Sequence, residues 1–320
     1  MLRRTTAVLL VVLAAPLLFA QEQPQHVEES VSVGYVMVPF TVLGPHSAPI
    51  TDLGSGEVSL LVDGIPVQSD MFEKSMDAPV SFTLLVDGSG SMALAGKMEA
   101  ARAAVEALIA RRKQGDDFSL FVFDDKEAHE LVPFTDDPQS ILTAMSNIKP
   151  WGKTAFFDAV STMPERSRLG RNATRAIILL SDGIDNASKL TREQLSKNLE
   201  GLGIPIYSLG LREAAEAKLL KGQTMEASSD IALLDDVATQ TGGRLFLGNR
   251  PEQIAKAIAR IENDLRAQYL IGFTPTGKGA VKYRRISLKT AGRVQAVRVR
   301  AGYRGTEPPV LTKANERKRS

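Results

Sequence analysis

Residues 80–92 read VSFTLLVDGSGSM. Val80 to Val86 is a continuous apolar run, the pattern of a strand buried on both faces of a sheet. The next residues change character at once. Asp87, Ser89 and Ser91 alternate with Gly88 and Gly90, so a carboxylate and two hydroxyls follow directly on a buried strand. Ligands of open α/β sheets bind at the carboxyl ends of the strands, and this loop stands at such an end. Its glycines permit a tight turn around a small ion.

Outward from this point the chain alternates. Lys97 to Arg112 has helical spacing, with Met98, Ala101, Val105, Leu108 and Ile109 on one side. Phe118–Phe123 and Arg175–Leu180 are further buried strands, and Leu131–Phe134 fits a short edge strand. Pro138–Ile148, Ala155–Arg168, Arg192–Leu202, Ile231–Thr241 and Ile254–Gln268 read as helices. Ile204–Leu209 and Arg244–Leu247 complete the set of strands. Strands separated by helices predict an α/β fold: a Rossmann-like, mostly parallel sheet flanked by helices over residues 79–268. Residues 212–229 are polar, Ala-rich and ambiguous.

Both flanks are β-rich. Val31–Val42 reads as a strand, and Val58–Val62, Asp63-Gly64 and Ile65–Phe72 as a hairpin, since Asp-Gly suits a type I′ turn. Beyond Gln268, strand-like stretches fall at Tyr269–Phe273, Tyr283–Lys289 and Ala296–Tyr303, with turns at Gly277-Lys278-Gly279 and Ala291-Gly292. Neither segment, 30–75 or 269–303, is large enough for a robust core. The two are therefore expected to pair across the α/β block into one small β-domain. The basic tail, residues 304–320, is expected to be disordered.

Residues 1–20 (MLRRTTAVLLVVLAAPLLFA) have the layout of a secretory signal peptide: Arg3 and Arg4, an apolar run, then small Ala20 before polar QEQPQ. The protein is expected to be exported, periplasmic or secreted, with no membrane span in the mature chain, because no other stretch approaches the ~20 apolar residues a bilayer needs. The 320 residues suggest about two domains at roughly 150 residues each. Thirty-nine basic against 37 acidic residues give a net charge of +2, too small a surplus for a nucleic-acid binder. The chain has no cysteine, which excludes disulfides, thiolate metal sites and a Cys nucleophile. Three scattered histidines, His26, His46 and His129, make a His-built metal site improbable.

Two further stretches carry oxygen donors. Gly152-Lys153-Thr154-Ala155 places a hydroxyl before a helix, and Ser181-Asp182-Gly183 puts a second carboxylate at the end of a buried strand. Two carboxylates and three hydroxyls suit Mg²⁺, Mn²⁺ or Ca²⁺ and suit Zn²⁺ poorly. Asp185 and Asn186 either support this loop or cap the approach to the Thr191 helix. Asp158 either orients Thr154 or faces solvent. Trp151 reads equally as a contact rim or as a packing residue, and Asp124-Asp125 as a plain polar turn.

DGSGSM (87–92), GKTAFFDA (152–159) and LLSDGIDN (179–186) resemble a von Willebrand factor type A domain. All five positions of that family's metal-ion-dependent adhesion site are matched, by Asp87, Ser89, Ser91, Thr154 and Asp182, in the family's order. The flanking phrases DGIP (63–66) and QYLIGF (268–273) are similar to those of bacterial secreted proteins related to that family. The resemblance implies that Ser89, Ser91 and Thr154 ligate a divalent ion directly. It implies that Asp87 and Asp182 act directly or through water. It further implies that an Asp or Glu carboxylate of a protein partner fills the open position. Mg²⁺ demands near-octahedral geometry at roughly 2.0–2.1 Å, so a shift of the Thr154 loop could couple partner binding to the last helix of the domain.

Catalysis is not expected. The chain has no GxxxxGK[ST] phosphate loop and no GxSxG nucleophile elbow, and no histidine falls in a motif that would make it a base. Position 89 is Ser, where aspartyl phosphotransferases need a second carboxylate. The expected function is metal-dependent, non-enzymatic protein binding or adhesion. The rival is a structural scaffold of an envelope assembly in which the ion serves only the fold.

Overall fold

The strand expected at 80–86 lies at the centre of the molecule. A computed structural model describes residues 35–45, 48–212, 225–276, 279–290 and 294–309. In chain order the N-terminal flank forms β1 (Val36–Leu43), β2 (Val58–Val62), β3 (Ile65–Pro66) and β4 (Met71–Met76). The α/β block follows as β5 (Val80–Asp87), α1 (Lys97–Ala110), β6 (Asp117–Phe123), β7 (Ala128–Thr135), α2 (Pro138–Asn147) and α3 (Phe156–Ser167). It continues with β8 (Thr174–Ser181), α4 (Arg192–Leu199), β9 (Ile206–Gly210), α5 (Met225–Thr241), β10 (Leu245–Leu247) and α6 (Pro251–Arg266). The C-terminal flank supplies β11 (Ala267–Phe273), β12 (Lys282–Thr290), β13 (Ala296–Val299) and β14 (Gly302–Gly305).

The central sheet has the order β10-β9-β8-β5-β6-β7. Its pairings are parallel except that of β7, an antiparallel edge strand. The apolar runs read as buried strands are buried on both faces because helices cover each side. One core joins Phe82, Leu84, Ile178 and Leu209 to α1, α2 and α6. The other joins Leu85, Phe121, Ile177 and Ile206 to α3, α4 and α5. From β5 the chain moves to one side, to β6, and returns on the other, to β8. The β5/β8 boundary is therefore a topological switch point, where the strand ends open a crevice.

The two flanks do pair. Sheets of order β13-β1-β11-β4 and β14-β12-β2-β3 face one shared core, which includes Val38, Phe40, Leu60, Val62, Tyr269, Ile271, Ile286 and Tyr303. Phe40 stacks on Tyr269 with ring centroids 5.4 Å apart. The chain leaves this sandwich through β4 and re-enters through β11, and these two strands are antiparallel neighbours, Ala267 opposite Met76. Thr41 Oγ1 donates to the Asp264 carbonyl, and the Arg300 guanidinium donates to the carbonyls of Gly201 and Met37. The sandwich thus packs at the end of the α/β block away from the β5 and β8 carboxyl termini.

Several boundaries differ from expectation, each for a tertiary reason. The second hairpin arm is not one strand: after the Asp63-Gly64 turn, with φ of 51° and 80°, β3 lasts two residues and β4 joins the other sheet. Ala296–Tyr303 likewise divides into β13 and β14, because the buried Arg300 between them turns the chain from one sheet to the other. The last helix stops at Arg266, since Ala267 and Gln268 are buried in β11 opposite Met76 and Ser75. The tail does not become irregular at 304. Arg304 and Gly305 lie in β14, Thr276 donates to the Glu307 carbonyl and the Gln68 N–H donates to the Pro309 carbonyl. Residues 1–34, which hold the signal-peptide reading and the start of the first strand, lie outside the described residues, as do 46–47, 213–224, 277–278, 291–293 and 310–320. No helix among the described residues is long and apolar enough to cross a membrane.

Candidate metal centre

Three loops meet at the switch point. The first follows β5: Asp87 ends the strand, and Gly90–Ala93 make a short 3₁₀ turn leading to α1. Asp87 is fully buried. Its Oδ1 accepts the Ser89 N–H at 2.9 Å and its Oδ2 accepts the Ser181 hydroxyl at 2.6 Å, which joins the ends of β5 and β8. The Ser89 and Ser91 hydroxyl oxygens are 3.1 Å apart, so the alternate spacing does bring the two side chains together. Gly88 and Gly90 are not at positive φ. They are small because of close approach. A Cβ on Gly88 would lie 2.7 Å from Val122 Cγ2, and one on Gly90 would lie 3.3 Å from the Gly152 carbonyl oxygen.

The second loop carries Thr154. It is latched to the first by main chain: the Gly90 N–H donates to the Gly152 carbonyl at 3.0 Å and the Trp151 N–H to the Gly88 carbonyl at 2.8 Å. The third loop follows β8 and carries Asp182. Asn186 binds Thr154 from both directions, its Oδ1 accepting the Thr154 N–H at 2.8 Å and its own N–H donating to the Thr154 carbonyl at 3.0 Å. Asp185 Oδ1 accepts the Phe156 N–H at 2.8 Å and the Ser188 hydroxyl, so it caps α3 from a distant loop. Of the two roles open to Asp185 and Asn186, support of the Thr154 loop is the one observed. The Thr191 helix is capped by Thr191 and Gln194. Asp158 does not orient Thr154; its carboxylate accepts the Lys189 and Leu190 N–H groups. Asp124 accepts the Lys126 N–H and pairs with His129 at 3.6 Å, consistent with a polar turn. Trp151 is 83% exposed. Beside it a groove of about 350 Å³ runs between Gly88, Asp124, Asp125, Leu131, Ile148 and Lys149.

Asp182 is fully buried, and its Oδ2 receives the Lys97 ammonium at 2.6 Å. Local spacing marks Lys97 only as the start of a helix, since a contact spanning 85 residues leaves no trace there. Ser181 was missed as the partner of Asp87 for the same reason. Arg212, at the end of β9, donates to the Asp182 carbonyl and pairs with Asp230. Burial pushes the Asp87 carboxyl up to about 6, against the downward pull of the Ser181 and Ser89 hydrogen bonds.

Among the described residues no cluster of three or more His, Cys, Asp or Glu could hold a metal ion. A divalent ion here would have to draw on hydroxyls as well. The donor set is of that kind: Ser89 and Ser91 face each other, and the buried carboxylates of Asp87 and Asp182 lie close enough to repel. Such oxygens fit a hard cation.

Residues 82–184 match the family model of the von Willebrand factor type A domain, a span that contains Asp87, Ser89, Ser91, Thr154 and Asp182. This segment is a von Willebrand factor type A domain. Domains of this type mediate protein interactions. The chain is 23% identical over 190 residues to an uncharacterized protein of Borreliella burgdorferi, covering 54% of this chain and 55% of that one. It is 29% identical over 194 residues to the magnesium-chelatase 67 kDa subunit of Chlorobaculum parvum, covering 55% of this chain and 30% of the other. The matches thus span about half of the first relative and under a third of the second. Among solved structures, a von Willebrand factor type A protein from Catenulispora acidiphila aligns with a TM-score of 0.48 at 14% identity, over 88% of this chain and 74% of that one. The von Willebrand factor domain of the type V pili tip protein Mfa5 from Porphyromonas gingivalis aligns with a TM-score of 0.44 at 13% identity, over 57% and 94%.

Proposed function

We propose that the von Willebrand factor type A domain binds a protein partner through a divalent ion, Mg²⁺ or its Mn²⁺ or Ca²⁺ analogue, without catalysing a reaction. Ser89, Ser91 and Thr154 would hold the ion, with Asp87 and Asp182 completing the oxygen set. The ion would supply an electrophilic point that accepts an Asp or Glu carboxylate of the partner. The observation that carries this reading is the meeting of three latched loops at the β5/β8 switch point, which brings together the paired Ser89 and Ser91 hydroxyls and the loops of the buried Asp87 and Asp182 carboxylates. The exposed Trp151 and its adjoining groove offer a second contact for the partner, since exposed aromatics beside a site serve as anchors. The pattern of residues 1–20 supports export, to the periplasm or outside the cell.

The rival reading, an ion that serves only the fold, is disfavoured by the local bonding. Asp87 already has Ser89 and Ser181, Asp182 has Lys97, and Thr154 has Asn186. These protein bonds tie the loops to one another.

Thermal unfolding of the purified chain in EDTA and then in 10 mM Mg²⁺ or Mn²⁺ tests the ion. For a Kd of ~1 mM the ion adds about 1.4 kcal/mol. That raises Tm by roughly 3–5 °C. The shift should vanish in Asp87→Ala. A pull-down in which Asp87→Ala loses its partner while still folding supports adhesion. Wild type that loses its fold in EDTA and regains it with ion, with no partner captured in either state, points to the scaffold role.

A further inference from the structure

Lys97 breaks a local rule. It is the first residue of α1, where the helix dipole disfavours a cation, and the preceding Gly96 offers no side-chain cap. A residue that defies its local preference has a tertiary reason for being there. Here the reason is visible: the side chain folds inward to 15% exposure, and its ammonium lies 2.6 Å from Oδ2 of the fully buried Asp182. The other cation at this loop, Arg212, binds the Asp182 main-chain carbonyl, while of the carboxylate oxygens Oδ1 accepts the Ile184 N–H and Oδ2 is held by Lys97.

We propose that Lys97 is a built-in cationic competitor that weakens divalent-ion binding at the Asp182 side of the centre. The inference rests on the metal-binding reading above. An ammonium and a divalent ion that share one carboxylate repel each other. The ion must then either displace Lys97 or be held chiefly by the neutral hydroxyls of Ser89, Ser91 and Thr154. In both cases the free domain holds its ion loosely. A partner carboxylate, by adding the missing negative charge, tightens the ion, so that ion and partner bind cooperatively. Lys97 thereby makes occupancy depend on the partner.

Isothermal titration of Mn²⁺ and of Mg²⁺ into the purified full chain, with no partner present, tests this. Lys97→Met and Lys97→Gln remove the charge, and Gln retains a donor for Asp182 if Met impairs folding. Lys97→Arg keeps the charge. Neutralising Lys97 should tighten the ion by roughly tenfold or more, given the strength of charge repulsion at short range inside a protein. Lys97→Arg should stay near wild type. In EDTA the Met variant should melt below wild type, because a buried Asp182 loses its partner, and added ion should raise its Tm by more than it raises that of wild type. Unchanged or weaker binding in both neutral variants, with wild type binding normally, would overturn the role of Lys97 and leave the metal centre standing. No binding in wild type or in either neutral variant would overturn the metal centre and this inference together. Binding in the neutral variants alone would support Lys97 as the competitor while denying wild type an ion under those conditions.

Discussion

Asp185 illustrates how much of the candidate centre depends on single groups that touch no ion. Its carboxylate accepts the Phe156 and Phe157 N–H groups and the Ser188 hydroxyl, so the first turn of α3, which follows Thr154 directly, is tied to the loop after β8. Asp185→Ala should cost about 1–2 kcal/mol in chemical denaturation, as for the loss of a helix cap. It should also weaken the ion-induced rise in Tm, because Thr154 loses the rigidity of its neighbour. An unchanged thermal response to ion in that variant would uncouple the cap from the centre. At this scale the sequence was informative about chemistry and silent about pairing. The five oxygen donors stand out because Asp-x-Ser-x-Ser follows a buried strand and Thr and Asp each stand at the edge of another element. Lys97 and Ser181 do not stand out, since each acts on a residue 85 or 94 positions away.

Elements were legible wherever period and punctuation agreed. α2 is one such case: Asp137 precedes Pro138, and its carboxylate accepts the Gln139 and Ser140 N–H groups at 3.0 and 3.1 Å. The Ser140 hydroxyl and then the Gln139 N–H hold the Asp137 carboxyl below its ordinary value of 3.8. A carboxylate whose folded value lies below its unfolded one contributes stability above the unfolded value of about 3.9. That contribution is lost as pH falls through the folded value. Between pH 5 and pH 2 the urea midpoint of wild type should therefore fall more steeply than that of Asp137→Asn, which keeps a cap but does not titrate. Equal slopes would remove Asp137 from the acid response. Elements were misread where a strand changes sheets. The β-propensity of 296–303 is continuous, yet Arg300 buries its guanidinium on the carbonyls of Gly201 and Met37 and divides the run into β13 and β14.

At the scale of the molecule, a buried ionic knot lies where the chain passes between the sandwich and the α/β block. The Arg266 guanidinium grips both oxygens of the fully buried Asp116 at 3.0 and 2.6 Å, donates to the Ala78 carbonyl and lies 3.6 Å from Glu262. Asp116 also accepts the Val80 and Lys113 N–H groups, so the start of β5, the end of α1 and the end of α6 meet there. Arg266→Met should lower stability by about 3–5 kcal/mol, because it leaves Asp116 buried without a cation. Calorimetry of that variant and of Arg266→Met with Asp116→Asn checks the mechanism: the second substitution should restore part of the loss, and a further drop would refute it. By itself the sequence determined the α/β alternation, the buried central strands, the β character of both flanks and the donor chemistry of the loops. Those features are written in local period, apolar runs and residue type, which a chain expresses over a few neighbours. Only the tertiary structure decided which sheet each flanking strand joins, that the sandwich sits away from the centre, and that Lys97 reaches Asp182. These are choices among long-range partners. They are made by shared burial and charge, which no local window of the chain contains.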